Sequence, residues 1–248
     1  MDMDTRYWDE VAPKWSQEIF NTLKHDRRRV IVSELERAAR SGKSVADFGC
    51  GIGNYLPRLA RLFDEVHGFD HSEACIELAR LRMQRRRKVS LYQAATAPRF
   101  AKGQYDVVLC VNTAIHPKRS EWLGVLRSAT SMLKPDGRLI LVVPSAESAA
   151  LIAKAEQATA EKNRAANESH TATQGVVSIE GVPTKHYART ELSDALTGVG
   201  LHVGRIRRVE YTWQSQAVTP PRELRYERPW DWLAVAKNTA TSSKTNAA

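Results

Sequence analysis

An acid and three alternate glycines, Asp47, Gly49, Gly51 and Gly53, follow directly on the short apolar stretch Ser44, Val45, Ala46. A second stretch over 65–69 ends in another carboxylate, Asp70. A strand that runs into a glycine turn and then a helix lets backbone approach a nucleotide-like ligand closely. An acid at the end of the next strand is placed to accept hydrogen bonds from both hydroxyls of a ribose. The spacing also selects among ligands. A dinucleotide fingerprint, G-x-G-x-x-G, needs glycine where Asn54 stands, and no G-x-x-x-x-G-K-[ST] phosphate cradle occurs. A carboxylate in the turn suits a cationic, phosphate-free ligand better than a pyrophosphate.

Helices and strands alternate around these two turns. Apolar spacing predicts a helical face from Trp8, Val11, Trp15 and Ile19, bent at Pro13, and a second helix over 26–39 with Val30, Ile31 and Leu35 inward. Strands are expected over 44–48, 65–69 and 89–93, with helices over 54–62 and 72–87 between them. Ser72 and Glu73 supply the second of these helices with a cap and early negative charge. The stretch 105–111 is almost wholly apolar, as a central parallel strand is. A helix over 121–133, a turn at 134–137 and a buried strand over 138–143 follow. This order predicts a doubly wound parallel sheet. Beyond Pro144 the pattern changes to an alanine-rich helix over 145–167 and a hairpin turning at Glu180 and Gly181. A helix over 190–199 and two long strands, 201–213 and 230–236, close the chain.

With its acid-headed glycine turn and Asp70 at the next strand end, the chain resembles the class I S-adenosyl-L-methionine (SAM)-dependent methyltransferases, well over 43–145 and more loosely in the closing strands. The resemblance implies an α/β, Rossmann-like, doubly wound and mostly parallel seven-stranded sheet with an antiparallel last strand. It also implies an N-terminal helical cap over 1–40 and a SAM-binding domain over 41–236. A helix-plus-hairpin insertion, 146–187, would cover the active site, and 237–248 is expected to be a disordered tail. Residue by residue, the cofactor SAM is expected on the turn formed by Asp47, Gly49, Cys50, Gly51 and Gly53, with Asp47 toward its amino group and Asp70 on its ribose. Phe69 and His71 would flank the adenine. Many relatives carry an acid after the third strand. Here 93–97 reads Gln-Ala-Ala-Thr-Ala, so adenine recognition falls to the backbone at Ala94 or Ala95 and to Thr96. Trp15, with Trp8 and Phe20, is expected to pack within the N-terminal helices and partly to cover the cofactor.

In this family the segment after the fourth strand, here 111–116, lies beside the transferring methyl, which brings Asn112 to the cofactor. The segment lacks the [DNS]-P-P-[YFW] pattern of enzymes that methylate exocyclic base amines, and no Pro-Cys pair supports a covalent 5-methylcytosine mechanism. Methyl transfer from a sulfonium needs an in-line acceptor held about 3–3.5 Å away. A phenol, hydroxyl or ammonium must also lose a proton, which imidazole can take near neutral pH. His116 is the first candidate base and His186, from the hairpin, the second; each has the competing reading of a histidine that only orders its loop or faces solvent. Tyr211 and Trp213 are weaker acceptor-pocket candidates.

At 248 residues, 42% hydrophobic and 26% charged, the chain has the composition of a globular domain with one large core. The polar start carries no signal-peptide pattern, Asp2 excludes an N-myristoyl glycine, and no apolar run approaches the roughly 18–20 residues of a membrane span. Cys50, Cys75 and Cys110 fit neither a disulfide framework nor a Cys-x-x-Cys metal site, so a cytoplasmic protein is expected. The net charge of +9 comes in part from Arg27, Arg28 and Arg29, and from a cluster over 80–88. A basic surface of this kind suits nucleic acid or an acidic partner, but a solvated helix end is the preferred reading of 80–88 because no aromatic residues interleave with the arginines. The leading function is methyl transfer to oxygen or nitrogen of a small-molecule acceptor. An RNA or protein methyltransferase that docks through the basic surface, and a non-catalytic SAM-binding partner subunit, are the alternatives.

Overall fold

The computed structural model describes residues 4–84, 86, 88–163, 175–179 and 181–239. Five strands run parallel: β1 (Ser44–Phe48), β2 (Glu65–Asp70), β3 (Val89–Gln93), β4 (Tyr105–Val111) and β5 (Leu133–Pro144). A separate antiparallel hairpin is formed by β6 (Val176–Ile179) and β7 (Val182–Lys185). β8 (Leu201–Glu210) and β9 (Trp230–Asn238) return to the main sheet, whose order is β3-β2-β1-β4-β5-β9-β8. β9 is antiparallel to both of its neighbours. All five residues of β1 are buried, as expected of a central strand covered on both faces.

Three short helices, α1 (Thr5–Val11), α2 (Trp15–Glu18) and α3 (Thr22–His25), precede α4 (Val30–Ala39). The remaining helices are α5 (Leu56–Leu62), α6 (Glu73–Met83), α7 (Arg119–Met132), α8 (Ala146–Asn163) and α9 (Arg189–Gly198). One face of the sheet packs on α4, α5 and α6 through Ile31, Leu35, Leu56, Leu59 and Ala79. The opposite face packs on α7 and α9 through Trp122, Leu126, Leu192 and Leu196. Ile31 and Leu35 are completely buried, and each contributes about 1.5–3 kcal/mol through the area it removes from water.

The departures from sequence expectation lie at boundaries and have local causes. The helix expected over 26–39 begins only at Val30, because Arg29 adopts a left-handed conformation with φ of 53°. The first helix is split by a 3₁₀ turn at Ala12–Lys14, where Pro13 sits. The turn expected at 134–137 is absorbed into β5 as an irregularity, with Asp136 at φ of 65° and the pairing jumping from Tyr105↔Leu133 to Val107↔Arg138. β8 stops at Glu210 rather than Trp213. β9 runs two residues into the segment assigned to the tail, held by the pairs Arg138↔Lys237 and Leu201↔Asn238. Glu180 at the hairpin turn, residues 164–167 of the long helix, Arg85, Arg87 and residues 240–248 of the tail lie outside the described residues.

Candidate active site

The turn after β1 is built on backbone that only glycine adopts readily. Gly49, Gly51 and Gly53 have φ of 78°, 51° and 79°. The N–H groups of Gly49 and Cys50 both donate to the carbonyl of Phe69, at 2.7 and 2.9 Å, so the turn is pinned to the end of β2. Space is as restrictive as conformation. A Cβ on Gly49 would lie 2.1 Å from Thr113 Oγ1, and one on Gly51 would lie 2.5 Å from the Trp15 ring. The Cys50 side chain turns into the core toward Gly68, where burial raises its thiol pKa.

Asp70 closes the other side. Its Oδ2 accepts from Gly51 N–H at 2.8 Å and its Oδ1 from Ser72 N–H at 2.9 Å. Burial raises its pKa, and those two backbone bonds oppose the rise. Asp47 is 1% exposed, and no hydrogen-bond partner among the described residues reaches its Oδ2. Burial first, and then the charge of Asp70, push its pKa up to about 8. A buried carboxylate oxygen without a partner is stabilised by a cation or by a hydrogen-bond donor brought to it. The two acceptor carboxylates therefore fit the ammonium and ribose hydroxyls of SAM. His71 is half-buried, with its carbonyl accepting from the Gln93 amide at 3.3 Å, while Ala95 is exposed. Phe69 is fully buried and stacks on Tyr92 at 5.2 Å within the core.

The N-terminal helices sit on this turn. Trp15 covers Gly51 and lies 5.9 Å from Trp8. Asp9 of α1 accepts from Ser72 Oγ at 2.6 Å and from Ala74 N–H at 3.3 Å, which locks the cap to the start of α6.

The two histidines differ in tautomer. His116 Nδ1 accepts from Lys118 N–H at 3.1 Å, so in the neutral ring the proton resides on Nε2. His186 is 7% exposed, not solvent-facing, and its Nδ1 lies 3.0 Å from the Thr184 carbonyl. A carbonyl only accepts, so His186 carries its proton on Nδ1 and keeps the Nε2 lone pair. Burial lowers its pKa and favours that neutral form. One backbone and one side-chain bond bring the segment to the end of β4: Lys185 N–H donates to Ile115 O at 2.8 Å, and Tyr187 Oη to Ala114 O at 2.6 Å.

A polar group that spacing alone did not bring together lies at the same edge. Asn112, at φ of 51°, has a buried Oδ1 without a partner among the described residues. The carboxylate of Asp231 accepts from Tyr211 Oη at 2.7 Å and from the Asn112 side chain. Burial raises its pKa to about 6 against those two bonds. Nearby, Tyr55 Oη and Thr22 Oγ1 share a hydrogen bond of 2.7 Å. These residues come from five separate segments, and only Tyr211 and Asn112 carry a signal in sequence.

Residues 23–203 match the family model described as a methyltransferase domain. The chain belongs to this methyltransferase family. Its fold is that of the class I SAM-dependent methyltransferases. Among sequence relatives, the ubiquinone biosynthesis O-methyltransferase of Pseudomonas paraeruginosa is 32% identical over 140 residues, covering 55% of this chain and 56% of the relative. The chain thus spans about half the length of the relatives that it matches in sequence. Among solved structures, the Burkholderia thailandensis 1,6-didemethyltoxoflavin-N1-methyltransferase superposes with a TM-score of 0.61 at 14% identity, covering 95% of this chain and 85% of that one. A chain of the complex between the Haloferax volcanii Trm112 methyltransferase activator and a methyltransferase has a TM-score of 0.61 at 16% identity, covering 95% and 96%. At such identities the likeness concerns fold alone. In this methyltransferase no helix among the described residues is long and apolar enough to cross a membrane.

Proposed function

We propose that this methyltransferase acts on an oxygen or nitrogen of a small-molecule acceptor by direct in-line displacement. Asp47, Gly49, Cys50, Gly51 and Gly53 would hold SAM, with Asp70 on its ribose and with Asn112, Trp15, His71 and Ala95 around it. When bound, SAM supplies an electrophilic methyl group. The acceptor's hydroxyl or ammonium proton passes to Nε2 of His186, while Asn112 and the Tyr211–Asp231 pair orient the reacting atom. His116 serves to hold the loop after β4. The helices of 1–40 act as a cap that excludes water from the domain over 41–236, and the 146–187 insertion shapes the acceptor side. A cytoplasmic setting accompanies this reading.

The observation that carries the assignment of the base is the Nδ1 contact of His186 to the Thr184 carbonyl, because it leaves a buried imidazole with its lone pair on Nε2. The relatives that the chain matches, O-methyltransferases of ubiquinone biosynthesis, support a small acceptor. The test is transfer of labelled methyl from SAM to a panel of catechols, phenols and amines, with RNA and protein as controls. Small acceptors should be labelled, and His186→Gln should lower kcat by about 10²–10⁴-fold, while His116→Gln changes it far less. Label appearing only in RNA or protein would overturn the reading.

A further inference from the structure

Four arginines from three distant segments meet at the edge of the sheet that carries the glycine turn. Arg27 and Arg28 precede α4, Arg208 lies near the end of β8 and Arg228 stands just before β9. With Glu210, Tyr226 and Glu227 they line a cleft of about 430 Å³. Its position follows from pairing: Trp230 pairs with Glu210, and Asp231 with Pro144 at the C-terminal end of β5. β5 runs parallel to β4, and β4 to β1, so this is the end at which Asp47 emerges.

The cleft is framed rather than loose. Arg27 N–H donates to the Glu210 carbonyl at 3.4 Å, and Arg28 Nε lies 3.2 Å from Glu210 Oε2. The Arg208 guanidinium carbon lies over the Trp230 ring, 3.9 Å from its centroid. A guanidinium held on an aromatic face presents its N–H edge in a fixed direction, and that edge matches two phosphate oxygens. Arg28 neutralises Glu210, so Arg27, Arg208 and Arg228 outweigh the remaining carboxylate of Glu227. Among the described residues no carboxylate lies within ion-pair distance of those three arginines. Beside them Tyr226 is 80% exposed, with Arg225 over its ring at 4.6 Å. An exposed ring next to an arginine set is a platform for a planar group. The volume lies within the roughly 300–1,000 Å³ of small-molecule sites.

We propose that this cleft binds the phosphoryl group of a nucleotide-sized small molecule, with Arg27, Arg208 and Arg228 on the phosphate oxygens and Tyr226 against the planar part. This deepens the small-acceptor reading and rests on it only in giving that acceptor, or a companion ligand, a phosphate. The experiment titrates uridine 5′-monophosphate and inorganic phosphate into the full chain at low salt. Excess S-adenosylhomocysteine keeps the nucleoside out of the glycine turn. Both probes should bind, at least about tenfold more weakly in the Arg27→Gln, Arg228→Gln double variant. Tyr226→Ala should weaken the nucleotide and not the phosphate. Unchanged S-adenosylhomocysteine affinity and unfolding temperature in these variants would show that fold and cofactor site are intact. Absence of nucleotide binding, or equal binding by the double variant, overturns the proposal. So does much tighter binding of oligouridylate with a steep salt slope, which would make the cleft part of a polymer-binding surface. Because binding is read without turnover, methylation of small acceptors by a chain that ignores the nucleotide would refute the cleft and leave the proposed function standing.

Discussion

Asp47 carries the sharpest conflict in the molecule. It is buried, one of its oxygens lacks a partner among the described residues, and its pKa rises to about 8. A carboxyl group whose folded pKa exceeds its unfolded value favours the fold while it is neutral. That advantage is complete below about pH 4 and is lost as pH rises through 8. Asp47→Asn should therefore be more stable than the parent at pH 9, by about 1–3 kcal/mol, with the difference vanishing near pH 4. The same change should weaken S-adenosylhomocysteine binding by about tenfold or more. Urea unfolding across that pH range, together with calorimetric titration of the ligand, checks both; a pH-independent difference in stability would refute the assignment. Asp47, the glycines and Asp70 were legible because an acid at a strand end and alternating glycines are local signals. The Asp231, Tyr211 and Asn112 group was not, because β9, β8 and the end of β4 meet only through the sheet order. Nor could spacing say that His186 would be buried with Nδ1 on a carbonyl, since that depends on where the hairpin lands.

At the level of elements, the glycine turn is stabilised from outside. Asp9 of α1 accepts from Ser72 Oγ and Ala74 N–H, and Ser72 N–H in turn donates to Asp70. Asp9→Ala should cost about 0.5–2 kcal/mol of stability, the usual range for losing a helix-terminal acceptor. It should also weaken S-adenosylhomocysteine binding although Asp9 stands outside the turn. Thermal unfolding and titration of the variant read the two effects, and a stability loss with unaltered affinity would confine Asp9 to a structural role. Apolar patterning located the strands of the parallel half and the helix α4, since a buried strand or helix face must be apolar at its own period. It misplaced ends where the backbone leaves the right-handed region, at Arg29 and at Asp136, because a left-handed non-glycine residue has no compositional mark. The cap Asp9–Ser72 joins residues far apart in the chain and was equally silent.

Across the whole molecule, both apolar layers close on one sheet, and β1 and β4 contribute side chains to each. Neither layer can open without exposing the other, so unfolding should be a single transition, coincident in near-UV circular dichroism and calorimetry. Ligand at about 100 times its Kd should raise the stability by about 2.7 kcal/mol. Two separated transitions would show that the helices over 1–40 melt independently. The parallel half of the sheet was foreseeable from alternating elements, and the closing strands from the resemblance. The spatial reversal that sets β9 between β5 and β8 is reached only when the chain is folded. One contact at this scale has an optical consequence. Trp15 rests on Gly51, within the turn proposed to hold the cofactor. On the proposed function, a cofactor seated on the turn would displace that indole, so the protein should report its own ligation as a change in tryptophan emission. Trp15→Phe should bind ligand with that signal largely abolished, turning an ordinary titration in a fluorimeter into a reading of where the cap moves.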